Sequence, residues 1–161
     1  TIPSSIKQIE DYAFANCHSL TKVNFNEGLE ILDNSVFFNC SELREIKLPS
    51  TLKEIGPRAF SGAALNNVVL PDSGKLTKID EYAFYQSREL TDITIPACIT
   101  SIPDNVFAEC SKEVTIHGAS GSYAQSYAKK NNLKFKADLG SSSKKATKAT
   151  KASGKAAEKA E

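Results

Sequence analysis

Residues 13 to 25 read AFANCHSLTKVNF, and residues 36 to 48 (VFFNCSELREIKL) and 83 to 95 (AFYQSRELTDITI) say nearly the same thing. With the aromatic residue as a ruler, Phe14, Phe37, Phe60, Phe84 and Phe107 are spaced by 23, 23, 24 and 23 residues. Five residues before each stand Ile9, Leu32, Ile55, Ile79 and Ile102, and eight before stand Ile6, Leu29, Leu52, Leu76 and Ile99. Three after come Cys17, Cys40, Ala63, Ser87 and Cys110, all small. A repeat of this period cannot bury its own apolar side, so the copies must stack and share one elongated core.

Each copy also reads as a shape. The alternating pairs Val23/Phe25, Ile46/Leu48, Val68/Leu70, Ile93/Ile95 and Val114/Ile116 carry the period-two signal of a short strand with those side chains inward. Pro49, Pro71 and Pro96 stop it. An extended piece around Ile6 to Ile9 opposes the strand, and the Phe follows on one or two helical turns. Asp33, Asp80 and Asp104 are placed to cap those turns, with Pro57 in a first turn. The third copy lacks one residue before its strand, and the fifth lacks two together with its Leu, so both predict local bulges.

The order L-x-x-[VI]-x-[LFI]-P-x-x-[LI]-x-x-I-x-x-x-[AV]-F-x-x-C-x-x-L resembles the BspA-like leucine-rich repeat family, a group of largely bacterial surface and secreted proteins. The expected fold is a leucine-rich repeat solenoid of about five 23-residue repeats with a parallel β-ladder and short helical turns, ending in a helix-strand cap. The expected organisation is repeats over 1–118, a cap over 119–139 and a disordered Lys/Ala-rich tail over 140–161. The resemblance implies a non-catalytic adhesion module at a cell surface or secreted, with a protein or glycan of a host or microbial surface as partner. The alternative is a rigid spacer within a larger surface protein.

The two ends differ in material. In ASGSYAQSYAKKNNLKF, from Ala119 to Phe135, Tyr123 with Tyr127 and Ala124 with Ala128 share one face of a short helix, which Asn131 and Asn132 can end before a strand at Leu133 to Phe135. That segment would seal the last repeat. At the other end Ile6, Ile9 and Phe14 are expected to face solvent unless earlier repeats, a domain or a partner covers them, so the native protein is expected to extend N-terminally, and the chain reads as a monomer or as part of a longer chain.

The overall net charge of +1 hides an asymmetry. Residues 140–161 hold six Lys against Glu158 and Glu161, a net of +4, which leaves −3 for residues 1–139. Such a tail suits a solvated linker, or a weak salt-sensitive contact with an anionic wall polymer. Specific nucleic-acid binding is not expected, since the tail has neither aromatic residues nor arginine. No apolar run approaches the roughly 18 residues of a spanning helix.

Chemistry is not expected. Cys17 beside His18 suggests a thiol-imidazole pair, but Cys17 belongs to the small inward column. Cys17, Cys40, Cys98 and Cys110 lack C-x-x-C spacing, with only His18 and His117 to add imidazole, so no metal site is expected. Cys17 and Cys40 would be near neighbours, yet Ala63 and Ser87 fill their column without a thiol, and packing is the simpler explanation. Neither a phosphate loop nor a catalytic pair of carboxylates appears; no cofactor and no catalytic residue are assigned.

What remains is surface. The outward positions flanking the inward pairs form two columns, Lys22, Glu45, Asn67, Asp92 and Glu113, then Asn24, Lys47, Val69, Thr94 and Thr115. Five strands make a polar, mixed-charge strip of roughly 24 Å. The ligand-contact candidates are Lys22, Asn24, Glu45, Lys47, Asn67, Val69, Asp92, Thr94 and Thr115.

Overall fold

Alternating side chains and early prolines keep the strands before residue 95 to two or three residues, and the stacking of copies makes every pairing parallel. The computed structural model describes residues 1–139; the expected tail over 140–161 lies outside them. Strands β1 (Gln8–Ile9), β3 (Ile31–Leu32), β5 (Glu54–Ile55) and β7 (Lys78–Ile79) form one ladder. On a second side lie β2 (Lys22–Asn24), β4 (Glu45–Lys47), β6 (Asn67–Val69), β8 (Asp92–Thr94) and β9 (Thr115–Ala119). Helix α1 (Tyr123–Lys130) then crosses over to β10 (Lys134–Leu139), which pairs parallel to β9 as one more rung. The chain is a β-solenoid of about six turns.

The Phe column is its axis. Phe14, Phe37, Phe60, Phe84 and Phe107 stack ring on ring, with centroids 5.3, 5.3, 5.3 and 5.4 Å apart. Phe37, Phe60 and Phe84 are wholly buried, among Leu29, Leu32, Leu43, Leu52, Ile55 and their equivalents. Tyr127 of α1 ends the stack by meeting Phe107 edge-on at 6.2 Å and 80°. At the opposite end Phe14 is half-buried and Ile6 is exposed, whereas Ile9 of β1, expected at the surface, is buried.

The third side corrects the expectation of helical turns. Tyr12, Ser35, Arg58 and Tyr82, two residues before the first four Phe, and Asn16, Asn39, Gly62, Gln86 and Glu109, two after all five, have φ between +54° and +72°. A left-handed residue on each side of the Phe forbids a helix. The backbone instead alternates tight turns, such as Ala15 N–H to the Tyr12 carbonyl at 2.9 Å, with bonds to the next coil. Thus Phe14, Phe37, Phe60 and Phe84 donate to the carbonyls of Val36, Ala59, Ala83 and Val106 at 2.7 to 3.0 Å, a third ladder made of turns. Asp33, Asp80 and Asp104 therefore cap nothing; their carboxylates meet Gln8, Lys78 and Lys130.

Two further corrections concern register. The fifth copy lacks nothing: Ile116 pairs with Ile93, and each stands nine residues after its Phe. Buried Val114 takes the place of the missing Leu, and the second inward position is Gly118. A Cβ at Gly118 would lie 2.7 Å from that of Ala124, because α1 fills the space that Leu48, Leu70 and Ile95 occupy in other coils. The third copy does lack a residue, and more than a bulge results. β4 and β6 are neighbours but not a ladder, so the side splits into β2-β4 and β6-β8-β9-β10. Among the described residues one backbone bond crosses the split, Asn66 N–H to the Arg44 carbonyl at 3.5 Å.

Candidate functional site

The nine candidate residues all lie on the strip formed by β2, β4, β6, β8 and β9, and the split divides them. On one part Lys22 stands beside Glu45 and Asn24 beside Lys47. On the other Asn67 stands beside Asp92 and Val69 beside Thr94, and Thr115 follows Asp92 rather than Thr94. His117 takes the place beside Thr94 that had been assigned to Thr115, and Glu113 falls outside the strip's strands.

Electrostatics on the strip is local. Lys22 Nζ lies 2.6 Å from Glu45, which lowers the carboxyl pKa, but both side chains are more than half exposed and such a pair is worth little. Lys134 of β10 pairs with Glu113 in the same way. His117, missed as a strip residue, is better enclosed: its two ring nitrogens meet Asp92 at 2.8 Å and Asp138 at 2.6 Å. Hydrogen bonds to those two carboxylates raise its pKa, in that order. The carboxylates sit at opposite ring nitrogens, so they do not converge with the imidazole on one point. Among the described residues no three His, Cys, Asp or Glu side chains are gathered as a metal would need.

The split opens a groove of about 480 Å³ lined by Ile46, Leu48, Val69, Leu70, Pro71 and Pro96, with Lys47, Asp72, Thr94 and Leu139 at its rim. Val69 is 52% exposed, among the described residues the one large apolar side chain turned outward on the strip. The groove was invisible in the columns because it arises from a missing residue elsewhere in the copy. A second recess, between β7 and residues 98–101, holds about 140 Å³, room for a few waters at about 30 Å³ each.

The cysteines behave as packing groups. All four are free thiols. Cys40 and Cys110 each donate to the carbonyl of the preceding coil's Phe, at 3.1 Å, and burial pushes the Cys110 pKa up to about 11. A thiol so shifted stays protonated and unreactive. Ser87 holds the same column with its hydroxyl buried and without a partner. Among the described residues no helix is long and apolar enough to cross a membrane.

Comparison with known proteins agrees with this architecture. Six copies of the family described as BspA type leucine rich repeat region match residues 1–114 and 31–139. Among solved structures the chain is similar to the pneumococcal vaccine antigen PcpA, at 21% identity and a TM-score of 0.71, covering 85% of this chain and 40% of that one. It is also similar to a leucine rich cell surface protein of Faecalibacterium prausnitzii, at 28% identity and a TM-score of 0.69, covering 86% and 35%. A leucine rich repeat protein of T. pallidum matches at 22% identity with a TM-score of 0.53, covering 80% and 78%. The chain thus spans well under half the length of the first two. A search of curated proteins found no match. The family match covers nearly the whole described chain, six coils and all: this chain belongs to the BspA-type leucine-rich repeat family.

Proposed function

We propose that the chain is a non-catalytic binding module of a bacterial surface or secreted protein, and that its strip contacts a protein or glycan on a host or microbial surface. The observation that carries the reading is the split between β4 and β6. It interrupts a polar strip with an apolar groove, flanked by Lys47 and Asp72 and fronted by exposed Val69. An apolar floor with a polar rim is the usual anatomy of a contact patch. Cell-surface relatives support the localisation.

The test is a binding screen of the full chain on immobilised host matrix proteins, mucin glycans and purified wall polymer, at low and physiological salt. The paired substitution Lys47→Glu and Val69→Lys should weaken binding by at least about tenfold while the melting temperature holds. Asp92 is left intact because it anchors His117. Binding that ignores the substitutions and collapses with salt would instead assign the contact to the lysines of 140–161 and leave the coils as a spacer.

A further inference from the structure

Among the described residues strand β10 is the last rung of the strip and has a strand neighbour on one side only. Its register with β9 runs from Lys134 to Ala137 and then shifts, so that Asp138 has no partner and Leu139 pairs with Ala119. A bulge of this kind re-aims a side chain. Here it accompanies an Asp138 carboxylate 2.6 Å from Nδ1 of His117, while Nε2 of the same ring lies 2.8 Å from Asp92 on β8. One imidazole, with 18% of its side chain exposed, bridges three strands.

A neutral imidazole has one N–H and one lone pair; it can donate to one carboxylate and must turn its lone pair on the other. The imidazolium donates to both. The other groups around it are few. Lys136 on β10 approaches Asp138 at 3.6 Å. The second oxygen of Asp92 accepts from the Thr91 hydroxyl at 2.7 Å. β9 itself presents Thr115, and α1 packs on the opposite, inward face at Gly118.

We propose that His117 is a protonation-dependent latch: charged, it ties the end of β10 to β9 and β8; neutral, it lets go of Asp138 and of the strand end with it. The latch goes beyond the binding reading and stands without it. The two meet at Leu139, which lines the groove beside Val69, Pro71 and Thr94, so release removes one wall of that groove.

The direction follows from linkage. The ring is raised above its ordinary 6.5 by Asp92 and Asp138, and both carboxyls are lowered, Asp92 first by Thr91 and then by His117, Asp138 first by His117. A group raised by its partners holds the closed form fully below its ordinary value and loses it as pH rises through the raised one. The latch is closed from above the lowered carboxyl range to about 6.5 and opens on the alkaline side. Within the window each pH unit favours the open form by about tenfold.

The experiment follows the His117 ring and the amides of Lys134–Leu139 by NMR in the full chain from acid to alkaline pH, with exchange corrected for its intrinsic rate. The expected result is a ring titrating above 6.5, with protection at the end of β10 falling about tenfold per unit through that window. His117→Gln should hold protection at a low, pH-independent level, and Asp138→Asn should bring the ring back toward its ordinary value. Amides of β8 serve as the control for folding. Unchanged protection while the ring titrates, or the same pH dependence in His117→Gln, would overturn the latch.

Discussion

The junction between β8 and β9 and the junction between β4 and β6 are built from the same kind of copy, yet only one is a ladder. At the first, Asp92, Ile93 and Thr94 face Thr115, Ile116 and His117, and Thr115 N–H reaches the Thr91 carbonyl at 2.8 Å. At the second, Asn66 N–H reaches the Arg44 carbonyl only at 3.5 Å and no strand pairing follows. The difference is one residue. Nine residues separate Phe84 from Ile93 and Phe107 from Ile116, but eight separate Phe60 from Val68. The Phe is held by its stack, so a shorter link draws the strand off its neighbour. In a solenoid, spacing within a copy decides continuity between copies.

The contrast can be broken or sharpened. The largest effect is expected from Phe60→Ala, which removes the middle ring of the stack, beside the junction between β4 and β6. It should cost about 3–5 kcal/mol in denaturant unfolding, and a cost near zero would refute the Phe axis. Gly118→Leu attacks the intact side by forcing a side chain into Ala124 of α1, 2.7 Å from the new Cβ. Overpacking of this kind should cost about 1–3 kcal/mol, and loss of amide protection confined to α1 and β10 would locate it. The smallest effect is a repair. A Glu inserted between Ala64 and Leu65 restores the spacing of the CSEL and SREL copies. It should add about 1 kcal/mol per regained backbone bond, protect the β6 amides and close the groove.

The apolar columns were legible because each inward position needs a side chain the stack can hide, and Phe14 to Phe107 carry it at nearly constant spacing. The turn side was misread, because a segment with an inward Phe every copy looks helical unless the left-handed positions are noticed. Asn16, Asn39 and Gly62, three residues that tolerate positive φ, were the available signal. The register of β9 was misread because Val114 imitates the first residue of an inward pair while doing the work of a Leu. The outward residues of β2, β4, β6 and β8 followed from alternation alone. The pairing of His117 with Asp138 did not, since it depends on a bulge, and neither did the groove, since it depends on a deletion.

The hydrogen bonds between coils point along the stack on all three sides, through two strand ladders and the ladder of turns. A tensile load applied at the two ends of such a molecule is therefore carried by the junctions in series, and the weakest one sets the limit. The junctions between β2 and β4 and between β6 and β8 have three rows or close to it, whereas the one between β4 and β6 has lost most of the strip row, and beyond β7 the first ladder stops, so the junctions after it carry fewer rows as well. Pulled at its two ends, the chain would yield at one of these thinned junctions first, parting into two stacks that each keep their own rings in contact.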